Sequence, residues 1–132
     1  MSIEIKKISI LKLNQRDLTV VSNACSKYAQ DLGNLLLQQN TAQQHIHMSL
    51  LQVFRFDLVK KMTSRNQGKE VKLNMEISTA FVCYDALQHY SNHCDNELDQ
   101  AIMRRIILQL YRDLPTTSDN CLAIHSALNF AN

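Results

Sequence analysis

The chain has 132 residues, a formal net charge of +2, and a composition that is 45% hydrophobic and 20% charged. This composition fits one globular domain and excludes a disordered chain, and the small net charge does not by itself indicate a polyanionic partner. The scarcity of glycine (two residues) and proline (one residue) predicts a mostly helical chain with short connections, and it excludes most glycine-rich nucleotide-binding architectures.

The sequence also predicts where the protein resides and whether its cysteines are reduced. No apolar run approaches the roughly 20 residues that a membrane-spanning helix needs. The first 14 residues contain Lys6 and Lys7 but no uninterrupted apolar stretch, so they do not predict a signal peptide. Because the chain has enough residues for a full core and no predicted export signal, free thiols are favoured over disulfides. We therefore expect a cytoplasmic protein, or one held inside a viral particle. The four cysteines are Cys25, Cys83, Cys94 and Cys121.

The N-terminal part of the chain predicts a strand followed by a long helix. Residues 3–13 alternate in the manner of a strand, with a phase slip at Lys6 and Lys7 that suggests a bulge. Asn14 and Asp17 have the spacing of a helix N-cap and an acidic first turn. The helix that follows has apolar residues spaced alternately by three and four positions, which predicts a packing seam. The seam residues are Leu18, Val21, Cys25, Tyr28, Leu32 and Leu35.

A second helix is predicted after a short connection. The first helix should end near Gln39, and Thr41 and Gln44 have capping-box spacing for the next helix. Gly68 is the predicted terminator. Two long helices joined by a short loop favour an antiparallel hairpin. The second helix is expected to bury a wide face made of Ile46, Leu50, Leu51, Val53, Phe54, Leu58 and Met62.

Residues 71–77 predict a half-buried strand, because apolar and polar residues alternate without interruption. Its apolar face is formed by Val71, Leu73, Met75 and Ile77. Ser78 or Thr79 is expected to cap a third helix, which should end at residues 92–95.

A fourth helix is predicted between an N-cap at Asn96 and the stop at Pro115. Its apolar residues suggest that it is the most buried helix of the four. These residues are Leu98, Ile102, Ile106, Ile107, Leu110 and Leu114. Ser118 can cap a short final helix.

Together the elements predict a mainly α (α+β) fold in the order β-α-α-β-α-α-α. We expect four to five helices in an antiparallel bundle, with residues 1–114 as one compact domain and residues 115–132 as a tail with a short helix. Since a strand followed by an up-and-down helix pair returns the chain to its starting end, the two short strands should be antiparallel. Two strands alone expose hydrogen-bonding edges, so helices must cover them or another chain must complete the sheet.

Two groups of histidine and cysteine residues are of the types used for metal binding or nucleophilic catalysis. His89, His93 and Cys94 form the densest group of metal-ligand types, with the histidines on one helical face. The alternative is that they are polar groups at a helix C-terminus, where histidine suits the dipole. Cys121 and His125 have the same i, i+4 spacing, for which a surface position on a tail helix is the favoured interpretation. We expect neither a metal nor a cofactor, and we expect His45 and His47 to face solvent.

A basic cluster raises the possibility of nucleic-acid binding. No aromatic residues are interleaved with it as a stacking platform, and acidic residues elsewhere balance its charge. Lysines that complement a helix C-terminus are the favoured interpretation. The cluster consists of Lys60, Lys61, Arg65, Lys69 and Lys72.

The sequence contains no G-x-S-x-G, P-loop or G-x-G-x-x-G motif, so we expect that the protein is not an enzyme. We expect a small structural or adaptor protein that acts through protein–protein contacts, as a homo-oligomer or as a subunit of a larger assembly. The alternative is a nucleic-acid-binding accessory or regulatory module that uses the basic cluster. No membrane contact and no small-molecule substrate are indicated. The residues expected at a protein interface are Leu18, Val21, Tyr28, Leu32, Leu35, Val71, Leu73 and Met75.

Overall fold

The computed structural model of the protein describes residues 7–63 and 69–115. This part of the chain confirms the predicted mainly helical α+β fold and its first six elements. The predicted final helix lies outside the described residues, as do Arg65 and Gly68. The elements are β1 (Lys7–Leu13), α1 (Gln15–Gln38), α2 (Ala42–Met62), β2 (Val71–Glu76), α3 (Ile77–Ser91) and α4 (Glu97–Asp113).

Three of the four helices begin at the predicted caps. Asn14 and Asp17 form a capping box: the Asp17 amide donates to Asn14 Oδ1 at 2.8 Å, and the Asn14 amide donates to Asp17 Oδ2 at 3.0 Å. The side chains of Thr41 and Asn96 each accept a hydrogen bond from the amide three residues later. Each cap satisfies an amide that the helix itself leaves without a partner.

The predicted cap of α3 is wrong. The helix begins at Ile77, directly after Glu76 at the end of β2, and Glu76 makes no side-chain capping bond. Ser78 and Thr79 therefore lie in the first turn of the helix. The strand passes into the helix without a loop, because the backbone changes conformation at a single position.

The two strands pair antiparallel, as predicted, and Ile8 lies opposite Met75 and Ile10 opposite Leu73. The predicted slip at Lys6 and Lys7 includes Lys6, which lies outside the described residues. In the described part of β1 the register shift falls between Ile10 and Leu13. Lys12 lies in this interval with a φ of +59°. The extra residue of this bulge turns Leu13 back into the core, where it is 1% exposed.

The interior forms where α1 lies against the other three helices. All six residues of the predicted α1 seam are buried, which confirms that the seam packs inside the chain. The inner face of the sheet, formed by Ile8, Ile10, Leu73 and Met75, closes one side of this core. No helix in the described ranges is long and apolar enough to cross a membrane.

The burial of α2 and α4 differs from the sequence prediction. On α2, Leu51, Phe54 and Leu58 are buried, whereas Ile46 and Val53 are exposed. On α4, Leu98 is exposed, so α4 is not the most buried helix. The most enclosed position belongs to α3, which contacts α1, α2, α4 and both strands.

Candidate functional site

The α1 residues that were expected at an interface lie inside the chain itself. Their exposed fractions are all 9% or less. Since α1 packs against α2 and α3, the apolar surface of the seam is already covered. A surface for another protein therefore has to be built from other residues. The five residues in question are Leu18, Val21, Tyr28, Leu32 and Leu35.

The three β2 residues that were expected at an interface are placed differently. Val71 is half-buried, and Leu73 and Met75 are buried on the inner face of the sheet. Leu73 and Met75 also line a surface groove between β2 and α2. They therefore contribute to both the core and a concave part of the surface.

The two edges of the sheet have different surroundings. At the β1 edge, the backbone amide of Leu11 donates to Oε1 of Gln109 on α4 at 3.3 Å, and α4 contacts β1. Within the described ranges the sheet has only these two strands, so β2 has one strand partner. The β1 edge therefore contacts a helix, while β2, the other strand of the pair, lines the groove.

The groove has a volume of about 660 Å³. Its apolar lining comes from both elements: Leu50, Val53 and Phe54 from α2, and Leu73 and Met75 from β2. Its polar lining carries charges of both signs. These polar residues are Lys7, Asp57, Lys60, Lys61, Asn74, Glu76 and Thr79.

Helix α2 also exposes large apolar side chains. Ile46, Val53, Phe56 and Val59 are between 52% and 62% exposed. Val53 lines the groove itself, and the ammonium of Lys60, which also lines it, lies 4.5 Å from the centre of the Phe56 ring, a cation–π contact. We call the groove together with exposed Val53 and Phe56 the α2–β2 face.

The described lysines of the basic cluster are all exposed, and Lys60 and Lys61 belong to the groove lining. Lys72 lies on the outer face of β2 and Lys69 lies just before that strand. Lys60 and Phe56 are in contact, but this single pair is not the series of aromatic platforms that single-stranded nucleic acids use.

The predicted metal-ligand residues do not converge on one point. His89 Nε2 lies 2.6 Å from Asp31 Oδ2, and His93 Nδ1 lies 2.8 Å from the carbonyl oxygen of His89. Cys94 Sγ donates to the carbonyl oxygen of Asn96 at 3.9 Å. Across residues 7–63 and 69–115, no group of three or more histidine, cysteine, aspartate and glutamate side chains could hold a metal ion.

A buried polar cluster joins α1, α2 and α3, and the sequence did not reveal it. Tyr28 Oη lies 3.3 Å from His47 Nε2, which is also 3.6 Å from Asp85 Oδ2. The three residues are 4%, 5% and 7% exposed. The prediction that His47 faces solvent is therefore wrong, whereas His45 is exposed as expected.

The protonation states of this cluster suit a structural role. Burial lowers the pKa of His47 to about 4, so the imidazole is neutral at physiological pH. Burial, with the nearby Asp85, raises the pKa of the Tyr28 hydroxyl above its usual range. A tyrosine, a histidine and an aspartate could in principle transfer protons, but these side chains are too buried to touch a substrate. We interpret the cluster as a polar tie between three helices.

Sequence reasoning also missed the α2–β2 face. Apolar residues lie on nearly all sides of α2, so periodicity could not separate its core face from its exposed face. The sequence did contain a signal for this surface: α2 has more apolar residues than one packing face needs. No protein-family model, curated protein or solved structure matches this chain.

Proposed function

We propose that the protein is a small non-enzymatic adaptor that acts through protein–protein contacts at the α2–β2 face. The observation that carries the proposal is the groove that β2 and α2 line together, since β2 has one strand partner in the described part of the chain. A strand edge presents backbone amide and carbonyl groups that another chain can pair with.

The chemistry of the groove favours an extended protein segment as its occupant. Such a segment would add to β2 as a third strand and would direct alternate side chains toward Leu50, Val53 and Phe54. Those side chains should be apolar, because this wall of the groove is apolar. The segment should carry charges of both signs, since Lys60 and Asp57 both lie along the groove.

The exposed residues of α2 support the same assignment. Ile46, Val53 and Phe56 leave a large apolar area facing solvent on the helix that forms one wall of the groove. Contiguous apolar surface beside a groove is typical of protein-binding sites. A strand in the groove could extend its contacts onto this part of α2.

Site-specific photo-crosslinking tests the proposal. A photoreactive phenylalanine analogue at Phe56 should give a cross-linked product in the native source, and mass spectrometry should place the linked peptide in one defined partner. The matched control puts the analogue at Tyr111, which is exposed to a similar degree on α4. Equal cross-linking from both positions, or none from Phe56, would contradict the proposal.

A further inference from the structure

The sequence of β2 can pair with a second copy of itself. A symmetric pair of identical strands is antiparallel, and directly opposite residues lie on the same face of the sheet. The two-fold axis must therefore pass beside one residue of each strand. With the axis at Asn74, Lys72 lies opposite Glu76 of the second copy and Leu73 lies opposite its Met75, each pair occurring twice.

This register is complementary on both faces. On the outer face, the two lysine–glutamate pairs join opposite charges, and Asn74 meets its own copy at the axis. On the inner face, Leu73 and Met75 continue the apolar surface of the sheet across the new strand pair. Pairs of these kinds stabilise neighbouring strands.

The neighbouring registers are less favourable. An axis at Leu73 would place Lys72 opposite Asn74 of the second copy and Glu76 opposite Glu70, which precedes the strand. An axis at Met75 would place Leu73 opposite Ile77, which is already the first residue of α3. Of the three registers, only the one centred on Asn74 joins opposite charges within the strand.

The surroundings of the groove fit a second copy as well. The groove lining contains two basic residues, Lys7 and Lys60, and two acidic residues, Asp57 and Glu76. A second copy carries the same four charges, so it offers both signs of charge to a lining that also has both. Each copy would lay its own β2 into the groove of the other, with the two α2 helices on the same side of a four-stranded sheet. Exposed Val53 and Phe56 would then lie next to the other copy.

We infer that the occupant of the groove is β2 of a second copy of this chain, paired about Asn74 to form a continuous four-stranded antiparallel sheet. This inference rests on the proposed function, because it names the partner of the same face. It assigns a use to the one sheet edge that α4 does not cover.

Light scattering on the purified full-length protein, over a wide range of concentration, provides the first test. We expect twice the chain mass of 15.2 kDa for the wild type. Asn74→Lys places two like charges together at the axis and should raise the dissociation constant by about tenfold or more. The matched control is Ser9→Lys, because Ser9 is the cross-strand partner of Asn74 on the strand away from the edge.

A disulfide trap tests the register directly and does not depend on the charged variant folding. In a background with Cys94→Ser and Cys121→Ser, Asn74→Cys should form an intermolecular disulfide on oxidation, because opposite residues of paired strands approach closely enough. Ser9→Cys should not form this disulfide. Cys25 and Cys83 are buried and can stay.

Each outcome decides the question. A wild-type protein that stays monomeric at every concentration would overturn the inference, and so would a dimer whose Ser9→Cys variant is trapped as readily as Asn74→Cys. A monomer whose Phe56 position still cross-links to a different protein would leave the proposed function standing. Loss of both the dimer and the cross-link would remove the inference and the proposed function together.

Discussion

At the residue scale, His47 illustrates how burial changes the chemistry of a side chain. It lies between Tyr28 of α1 and Asp85 of α3, and the ring of His89 also contacts Tyr28. Its partners come from distant parts of the chain, so no local pattern around His45 and His47 could have revealed its burial. The sequence predicted Tyr28 as a residue of the apolar α1 seam and His47 as a solvent-facing residue.

The depressed pKa of His47 predicts a loss of stability in mild acid. Burial lowers this pKa from 6.5 to about 4, so the folded state binds a proton less readily than the unfolded state. The free energy of unfolding should therefore be highest above pH 6.5 and should fall by up to about 3 kcal/mol as the pH decreases to about 4. Denaturant titrations across this range would measure the slope.

A matched variant identifies the group responsible. His47→Gln, which cannot titrate, should flatten the slope between pH 6.5 and 4. The carboxyl group of Asp31 affects stability at lower pH. Burial raises its pKa, but hydrogen bonds from His89 and Lys27 outweigh burial and lower it. Its contribution to the free energy of unfolding is therefore lost only as the pH falls toward that lowered pKa. An unchanged slope in His47→Gln would contradict our assignment.

Leu32 tests whether the α1 seam is internal. It is 2% exposed, whereas Leu37 on the same helix is 87% exposed. Leu32→Asp should lower the free energy of unfolding by about 3 kcal/mol or more, because it buries an unpaired charge. Leu37→Asp should have little effect. Chemical denaturation would compare them, and similar stabilities for the two variants would show that the seam is not core.

At the element scale, a sequence prediction was accurate where the apolar residues of a helix or strand defined a single buried face. The α1 seam and the β2 alternation are single, unbroken stripes; the seam was confirmed, and the strand was confirmed over Val71–Glu76, whereas Ile77 begins α3. The pattern of α2 has apolar residues on most sides, so the sequence could not show that Ile46 and Val53 are exposed. The bulge at Lys12 depends on pairing with β2, which the sequence of β1 alone does not contain.

The capping box of α1 gives a prediction for one element. Asn14→Ala removes the side chain that accepts from the Asp17 amide, and it should lower the free energy of unfolding by about 1 kcal/mol. Asn23→Ala is the control, because Asn23 is exposed in the middle of the same helix, where alanine is favoured. Thermal unfolding would measure both, and equal effects would contradict a capping role.

At the scale of the whole molecule, the basic cluster allows the nucleic-acid alternative to be tested. Lys60, Lys61 and Lys72 are exposed, yet the chain carries a net charge of only +2. We expect flat fluorescence anisotropy titrations at low salt with both duplex and single-stranded nucleic acid. Binding that weakens steeply with salt and is lost in the Lys60→Glu, Lys61→Glu double variant would instead support the alternative.

The two edges of the sheet have different surroundings, while exposed apolar residues lie on α4 (Leu98, Leu108 and Tyr111) as well as on α2. At the β1 edge, α4 contacts β1 and provides a hydrogen bond to it. On the α2–β2 face, β2 and α2 line the groove, and exposed Val53 is part of that lining. This difference is the basis of our proposal that the α2–β2 face binds another chain.

The most direct test of this assignment is amide hydrogen exchange of the purified protein at low and high concentration. If the β2 edge pairs with another copy, exchange of the amides in Val71–Glu76 should slow as the concentration rises, and Asn74→Lys should move that change to higher concentrations. Exchange in α4 should stay constant. Exchange in β2 that does not depend on concentration, or protection that appears on α4 instead, would contradict the account.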